Sequence, residues 1–283
     1  MGMSGALAYH HHTFLSIKLY YFAYTLHILQ VGVSRKLKTN DLNSYRPRIS
    51  RAEWDLIKEY RDNDNTEANN ILVIGDLHEP FCLDEYLDFC IEKYIEFSCN
   101  EVVFIGDIID NHYASYHETN ADSMGGAEEL ELAIKRISRW RNAFPVATII
   151  IGNHDRMVMR KAQTSAIPSK WIKSYKEVLE VPKWNFVERY EKNNVQFIHG
   201  EGGQAFNKCR ADLMNTVQGH LHTLAGCQHF VGRKFRVFGM QVGCGIDHES
   251  YAMAYAKYGK KPAIGCGVVL NNGKLPINLL MEL

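Results

Sequence analysis

Asp76 and His78 stand two residues apart, behind Gly75, where the apolar run Ile71 to Ile74 ends. In extended chain that spacing turns both side chains to one face. His220 and His222 repeat the spacing behind Gly219. Between the two pairs lie Gly106-Asp107-Ile108-Ile109-Asp110, Gly152-Asn153-His154-Asp155 and His199-Gly200, and each of these also follows an apolar run. Carboxylates, imidazoles and one amide make a donor set for divalent cations. Such a mixture suits manganese, iron or zinc better than calcium. Two cations about 3.5–4 Å apart can activate a water and hold a phosphoryl oxygen together, given a carboxylate that bridges them. The glycines let the backbone turn sharply and come close to an ion. Taken singly, each motif is ordinary: a turn, a helix cap or a core histidine. Their recurrence at successive segment ends is what points to a site.

The elements that must position these groups are legible. Ile71 to Ile74, Val102 to Ile105, Val146 to Ile151 and Val195 to Ile198 are short runs rich in β-branched residues. They suit strands buried on both faces. Leu83 to Phe97 and Ala127 to Ala143 carry apolar residues at helical spacing. Strand-helix alternation predicts an α/β core, whose sites belong at the carboxyl ends of strands. Arg236 to Val242, Cys266 to Leu270 and Leu275 to Met281 read as further strands. Asn271-Asn272-Gly273 predicts a hairpin between the last two. Met157 to Tyr190 reads as a helical insert, with several lysines among glutamates on a solvated face.

Residues 1–50 read as an apolar extension and linker, 51–70 as a leading helix and polar loop, and 71–283 as the main domain. The helix is signalled by a capping box, Ser50 to Glu53. Residues 14–33 are where a membrane association would reside, but Lys18, His27 and Gln30 interrupt them. They fall short of the ~18 unbroken apolar residues of a spanning helix. Lysine plus arginine equals aspartate plus glutamate, at 32 each. Net charge therefore advertises neither nucleic acid nor an anionic surface, although a local basic patch stays open. Seven cysteines without a C-x-x-C spacing predict free thiols in a reducing compartment, read as the cytoplasm.

The order D-x-H, G-D-x-x-D, G-N-H-D, H-G, G-H-x-H, from Asp76 to His222, resembles the calcineurin-like metallophosphoesterases. The resemblance covers roughly half of the chain. It implies an α/β fold, a two-sheet αββα sandwich with mixed strands, and two divalent metal ions. Manganese is the first expectation, with iron, zinc or nickel also accepted by these donors. Asp76, His78, Asp107 and His222 would hold one metal. Asp107, Asn153, His199 and His220 would hold the other, with Asp107 bridging. His154 would contact the phosphate and protonate the leaving oxygen. Asp110 and Asp155 would support the ligands, and Asp155 could orient His154.

The expected reaction is hydrolysis of a phosphate ester, monoester or diester, with a nucleotide or other small phosphoester as substrate. Nuclease action is the alternative, and a non-catalytic binding module a further one. Protein phosphatases of the family carry Arg-Gly after the second aspartate of G-D-x-x-D. Here Asn111-His112 stands there instead, which argues against a phosphoprotein substrate. Asn111, His112, Tyr113 and Arg156 are candidate substrate contacts, together with Tyr116 and His117.

Overall fold

Leu72 and Ile74 face one way along the first strand, and Ile71 and Val73 the other. The computed structural model buries all four. It describes residues 68–115, 123–200, 202–250 and 261–282, which fall within the unit Thr66–Leu283. The apolar N-terminal stretch, the helix expected after Ser50, Tyr116 and His117 lie outside the described residues.

The first half runs β1 (Ile71–Ile74), α1 (Tyr86–Glu96), β2 (Glu101–Phe104), α2 (Gly126–Ala143), β3 (Ala147–Ile150), α3 (Met157–Thr164), α4 (Tyr175–Val178) and β4 (Trp184–Val187). It continues through β5 (Tyr190–Lys192), β6 (Val195–Ile198), α5 (Ala205–Asp212), β7 (Asn215–Gln218), β8 (Gly226–Val231), β9 (Arg236–Gln241), β10 (Gly265–Leu270) and β11 (Leu275–Leu280). A six-stranded sheet has the order β11-β10-β1-β2-β3-β4, and a five-stranded sheet the order β5-β6-β7-β9-β8. Strands β1 to β4 are parallel, as are β6, β7 and β9. Strands β10, β11, β5 and β8 join antiparallel. Both sheets are therefore mixed, as expected.

Two apolar layers explain the unbroken runs. Leu72, Ile74, Phe104 and Ile149 pack with Ile137 and Trp140 of α2 and Tyr86 of α1. Ile71, Val73, Val103 and Ile105 pack with Phe197, Val217 and Met240 of the other sheet. Each such side chain removed from water contributes ~1.5–3 kcal/mol. Helix α5 covers the far side of the second sheet through buried Ala205 and Cys209. Gly239 of β9 permits this approach, since a Cβ there would meet the Ala205 carbonyl at 2.6 Å.

The insert corrects the sequence expectation. Only α3, α4 and a 3-10 turn at Ser169–Trp171 are helical, and its end forms the strands β4 and β5. Trp184 explains β4: its ring is fully buried, and its indole donates to the Phe144 carbonyl at 2.9 Å. The Asn271-Asn272-Gly273 turn joins β10 to β11 with all three residues at positive φ, from 53 to 82°.

Helix α2 also clamps the loop that follows β1. Glu79, 2% exposed, accepts from Arg136 Nε at 2.6 Å and from Trp140 Nε1 at 2.9 Å. Arg136 further donates to Asp84 at 2.9 Å and to the Cys82 carbonyl at 2.6 Å. Arg136→Met strands a buried carboxylate, and truncating one partner of such a pair costs ~3–5 kcal/mol. Because Arg136 reaches the surface, the low end is expected in urea unfolding at pH 7. Burial already raises Glu79 above the usual carboxylate range, against the pull of Arg136. Without Arg136 it rises further, and a raised carboxyl destabilises the fold as pH climbs past its unfolded value. The deficit of the variant is thus smallest near pH 4 and grows toward neutrality; a pH-independent deficit would contradict this.

Candidate metal centre

Strands β1, β2, β3, β6 and β7 end on one side, and five loops bring their polar residues together there. Carboxylate and imidazole donor atoms of Asp76, His78, Asp107 and His222 lie within 4.8 Å of one another. So do those of Asp107, His199 and His220. Asp107 belongs to both groups. Asn153 adjoins the second, its Oδ1 2.8 Å from His199 Nε2.

Local geometry builds each group. The Asp107 carbonyl accepts from the amides of Leu77 and His78 at 3.1 and 2.8 Å, which ties the first loop to the second. Asp107 Oδ1 accepts from the His154 amide at 2.8 Å, and Asp76 Oδ2 from the His220 amide at 2.8 Å. Gly152 is required, since a Cβ there would meet Asp107 Oδ1 at 2.1 Å. His78, Asp107, Asn111 and His220 all sit at positive φ, between 46 and 70°. Such strain costs on the order of 1–3 kcal/mol per residue and gathers where structure serves function.

The donors are aimed inward. His78 Nδ1 is held by Asp110 Oδ1 at 2.6 Å, and His199 Nδ1 by the Ile105 carbonyl at 3.1 Å. Each bond leaves Nε2 turned to the centre, as when an outer partner orients a ligating imidazole. There His78 Nε2 faces His222 Nε2 at 3.2 Å, and His222 Nε2 lies 3.1 Å from Asp76 Oδ2. Asp76 Oδ1 and Asp107 Oδ2 are buried and receive no well-aligned hydrogen bond, although His199 Nε2 lies 3.1 Å from the latter. Buried oxygens seldom remain so; a cation would satisfy both. The residues fit oxygen- and nitrogen-bound divalent ions.

Charges are strongly coupled. Burial opposes the His199 imidazolium, but Asp107 and then Asp76 outweigh it and push it up to about 10. Burial likewise opposes the charge of His154, yet the bond to Asp110 and the charge of Asp107 carry it up to about 9. Burial, then His154, lowers His78. Burial would raise Asp107, but His199 and His78 hold it well below the usual range.

The expected roles need two corrections. Asp155 does not orient His154. Its carboxylate accepts from the amides of Gly152, Ile108 and Ile109 at 2.8, 3.1 and 3.3 Å, so its oxygens are spent on backbone. Burial and the charge of Asp107 push Asp155 up to about 7. Asp110 holds His154 instead, through its carbonyl 2.7 Å from Nδ1 and its carboxylate at 3.3 Å. Second, Asn111 and His112 are buried and turned inward. Asn111 Nδ2 donates to the His154 carbonyl at 3.0 Å, and the His112 amide to Glu129 Oε1 at 2.7 Å. Tyr113 donates to Asn111 Oδ1 at 3.1 Å and packs against Gly126. Arg156 does line an opening on the centre, a depression of about 530 Å³ shared with Asn153, Arg160, Gly200, Gly202 and His220.

Sequence reading missed Glu129, which is fully buried and pushed up to about 7 mainly by that burial. A signal existed: Glu129 precedes Ala133 by four residues and so shares the buried stripe of α2.

A two-sheet sandwich whose loops gather histidines and carboxylates at parallel strand ends is the architecture of a metallophosphoesterase. The chain belongs to the calcineurin-like phosphoesterase family, whose model matches residues 70–233, more than half of its length. Members of this family normally bind divalent metals, and the two donor groups could hold them. Among solved structures, the chain is similar to Vacuolar Protein Sorting 29 from Cryptosporidium parvum, at 16% identity and a TM-score of 0.41, over 76% of this chain and 92% of that one. It is also similar to an archaeal phosphodiesterase, at 14% identity and a TM-score of 0.39, over 75% and 99% of the two chains. The phosphoesterase Yfce of E. coli aligns at 12% identity and a TM-score of 0.36, over 74% and 99%. No curated protein matches the chain significantly. No helix among the described residues is long and apolar enough to cross a membrane.

Proposed function

We propose that the chain hydrolyses a phosphate ester of a nucleotide or other small molecule, with two divalent cations held by Asp76, His78, Asp107, Asn153, His199, His220 and His222. The observation that carries this is the sharing of Asp107 by two donor groups, the arrangement that a pair of adjacent cations demands. The cations, manganese foremost, supply positive charge for the phosphoryl oxygens and acidify a water. His154 protonates the leaving oxygen. Its Nδ1 is engaged by Asp110, so Nε2 is the atom left for substrate. The Asp110 carbonyl and carboxylate against Nδ1 favour its charged form, the acid that the leaving oxygen needs. Arg156, at the rim of the opening, contacts the phosphate. Asp110 orients His78 and His154, and Asp155 fixes the loop amides that carry the centre.

The deciding experiment loads the purified chain with manganese and compares p-nitrophenyl phosphate with bis-p-nitrophenyl phosphate. Hydrolysis of either, lost on chelation and restored by metal, is expected. Turnover that survives chelation would overturn the assignment, as would its absence in protein shown to bind metal. Preference for the diester would move the reading toward nuclease action.

Cation capture should also release protons. His199 carries a proton below about 10, and must lose it from Nε2 to bind. Affinity therefore falls as pH falls. Calorimetry at pH 7 in buffers of different ionisation heat should show roughly one proton released per chain. Heats that do not depend on the buffer would argue against His199 as a ligand.

A further inference from the structure

A second depression, of about 580 Å³, adjoins the first. The two share Arg156 and Gly200, and the second is also lined by His199. It therefore starts at the donor groups and leads away from them. The lining used here comprises Arg156, Glu188, Arg189, Gln204, Asn207 and Lys208. Across both depressions, the described lining residues include four cations, Arg156, Arg160, Arg189 and Lys208, beside the single acid Glu188. Arg156 and Arg160 are four apart on the helical turn that opens α3, so they share one face.

A single phosphate at the centre needs only the mouth formed by Asn153 and His220. Arg189 and Lys208 line only the second depression, with the amides of Gln204 and Asn207 as further donors. Three of the four cations make ion pairs with carboxylates at the surface. Lys208 meets Asp212 at 3.1 Å, Arg189 meets Glu191 at 2.5 Å, and Arg156 meets Glu188. Exposed pairs of this kind hold weakly, so an anion can displace them. No phenylalanine, tyrosine or tryptophan is among the described lining residues of either depression, which leaves no large platform for stacking bases along a strand.

We propose that the second depression is a subsite for further phosphates of the substrate. The substrate class is then an organic polyphosphate, a small molecule with two or more phosphates in one chain. Arg156 spans the reacting phosphate and the next, while Arg189 and Lys208 receive the remainder. This rests on the assignment of the centre as a phosphoesterase.

The test is equilibrium dialysis of labelled inorganic phosphate and inorganic triphosphate against the full chain, at fixed free manganese. A nucleoside triphosphate and a short oligothymidylate form two further arms. Triphosphate and the nucleotide should bind at least about tenfold more tightly than phosphate, as added charge-assisted hydrogen bonds require. In Arg189→Ala/Lys208→Ala that ratio should collapse toward one. Both side chains are about half exposed, so the variant should fold; thermal melting checks this. An equal ratio in wild type and variant would overturn the subsite. Loss of oligothymidylate binding alone would overturn it in favour of a nucleic-acid strand. The triphosphate and nucleotide arms use methylene-bridged, non-hydrolysable analogues, so binding is read without turnover, and a chain that hydrolyses nothing yet keeps the ratio would refute the phosphoesterase assignment and not the subsite.

Discussion

Asp107→Asn is expected to reduce turnover to the level of the blank and to lower the bound cation from about two per chain to at most about one. Asparagine keeps the shape and the Oδ1 acceptor used by the His154 amide at 2.8 Å. What it removes is the charge on Oδ2, which lies 3.1 Å from His199 Nε2 and 3.5 Å from His78 Nε2. No other residue belongs to both of those donor groups, so no neighbour can substitute. The fold should persist, because β2 and both apolar layers are untouched. Metal content by mass spectrometry and hydrolysis of p-nitrophenyl phosphate test this together. Two cations per chain with full turnover would sink the bridging role.

His154→Ala should lower kcat by ~10²–10⁴ on an alkyl phosphate, the usual worth of a positioned acid. The loss on a p-nitrophenyl ester should be much smaller, since that leaving group departs without a proton. The alkaline limb of the pH profile should also disappear. In the native chain, activity falls as pH rises and the raised imidazolium loses its proton, which the variant cannot do. Metal content should stay unchanged, because His154 Nδ1 faces Asp110 rather than the shared carboxylate. Equal losses on both esters would mean that His154 positions the substrate without protonating it.

The contrast between Asp110 and Asp155 shows where sequence reading stops. Both follow a glycine motif by a few residues and look interchangeable as supports. Their roles depend on which amides and imidazoles a neighbouring loop presents. Asp155 meets three backbone amides, and Asp110 meets two histidines. Likewise Asn111 and His112, polar and next to the motif, look available to substrate. The buried Glu129 and the His154 carbonyl draw them inward.

Strands show the same division. Strands β1 and β6 occupy the ranges their apolar runs predict, because burial on both faces leaves a signature in composition. Strands β4, β5, β7 and β8 were not read as strands, and all but β7 lie at sheet edges. An edge strand is partly solvated, so β4 and β8 mix Asn, Gln and His with apolar residues, and β5 carries Glu191 and Lys192. Such residues therefore resemble a loop or a solvated helix.

What the chain determined by itself was local: unbroken apolar runs, glycines that permit a close turn, and carboxylates and histidines placed just beyond them. Convergence was not local. Asp76 and Asp107 meet because β1 and β2 pair in parallel, Ile74 beside Phe104. His199 and His220 meet because β6 and β7 pair likewise, Ile198 beside Gln218. The two pairs face one another only because Ile71, Val73 and Val103 pack on Phe197 and Val217. Tertiary packing thus decided that one carboxylate serves both donor groups, since distances between separate strands depend on register and on the layer between sheets, which sequence spacing does not encode.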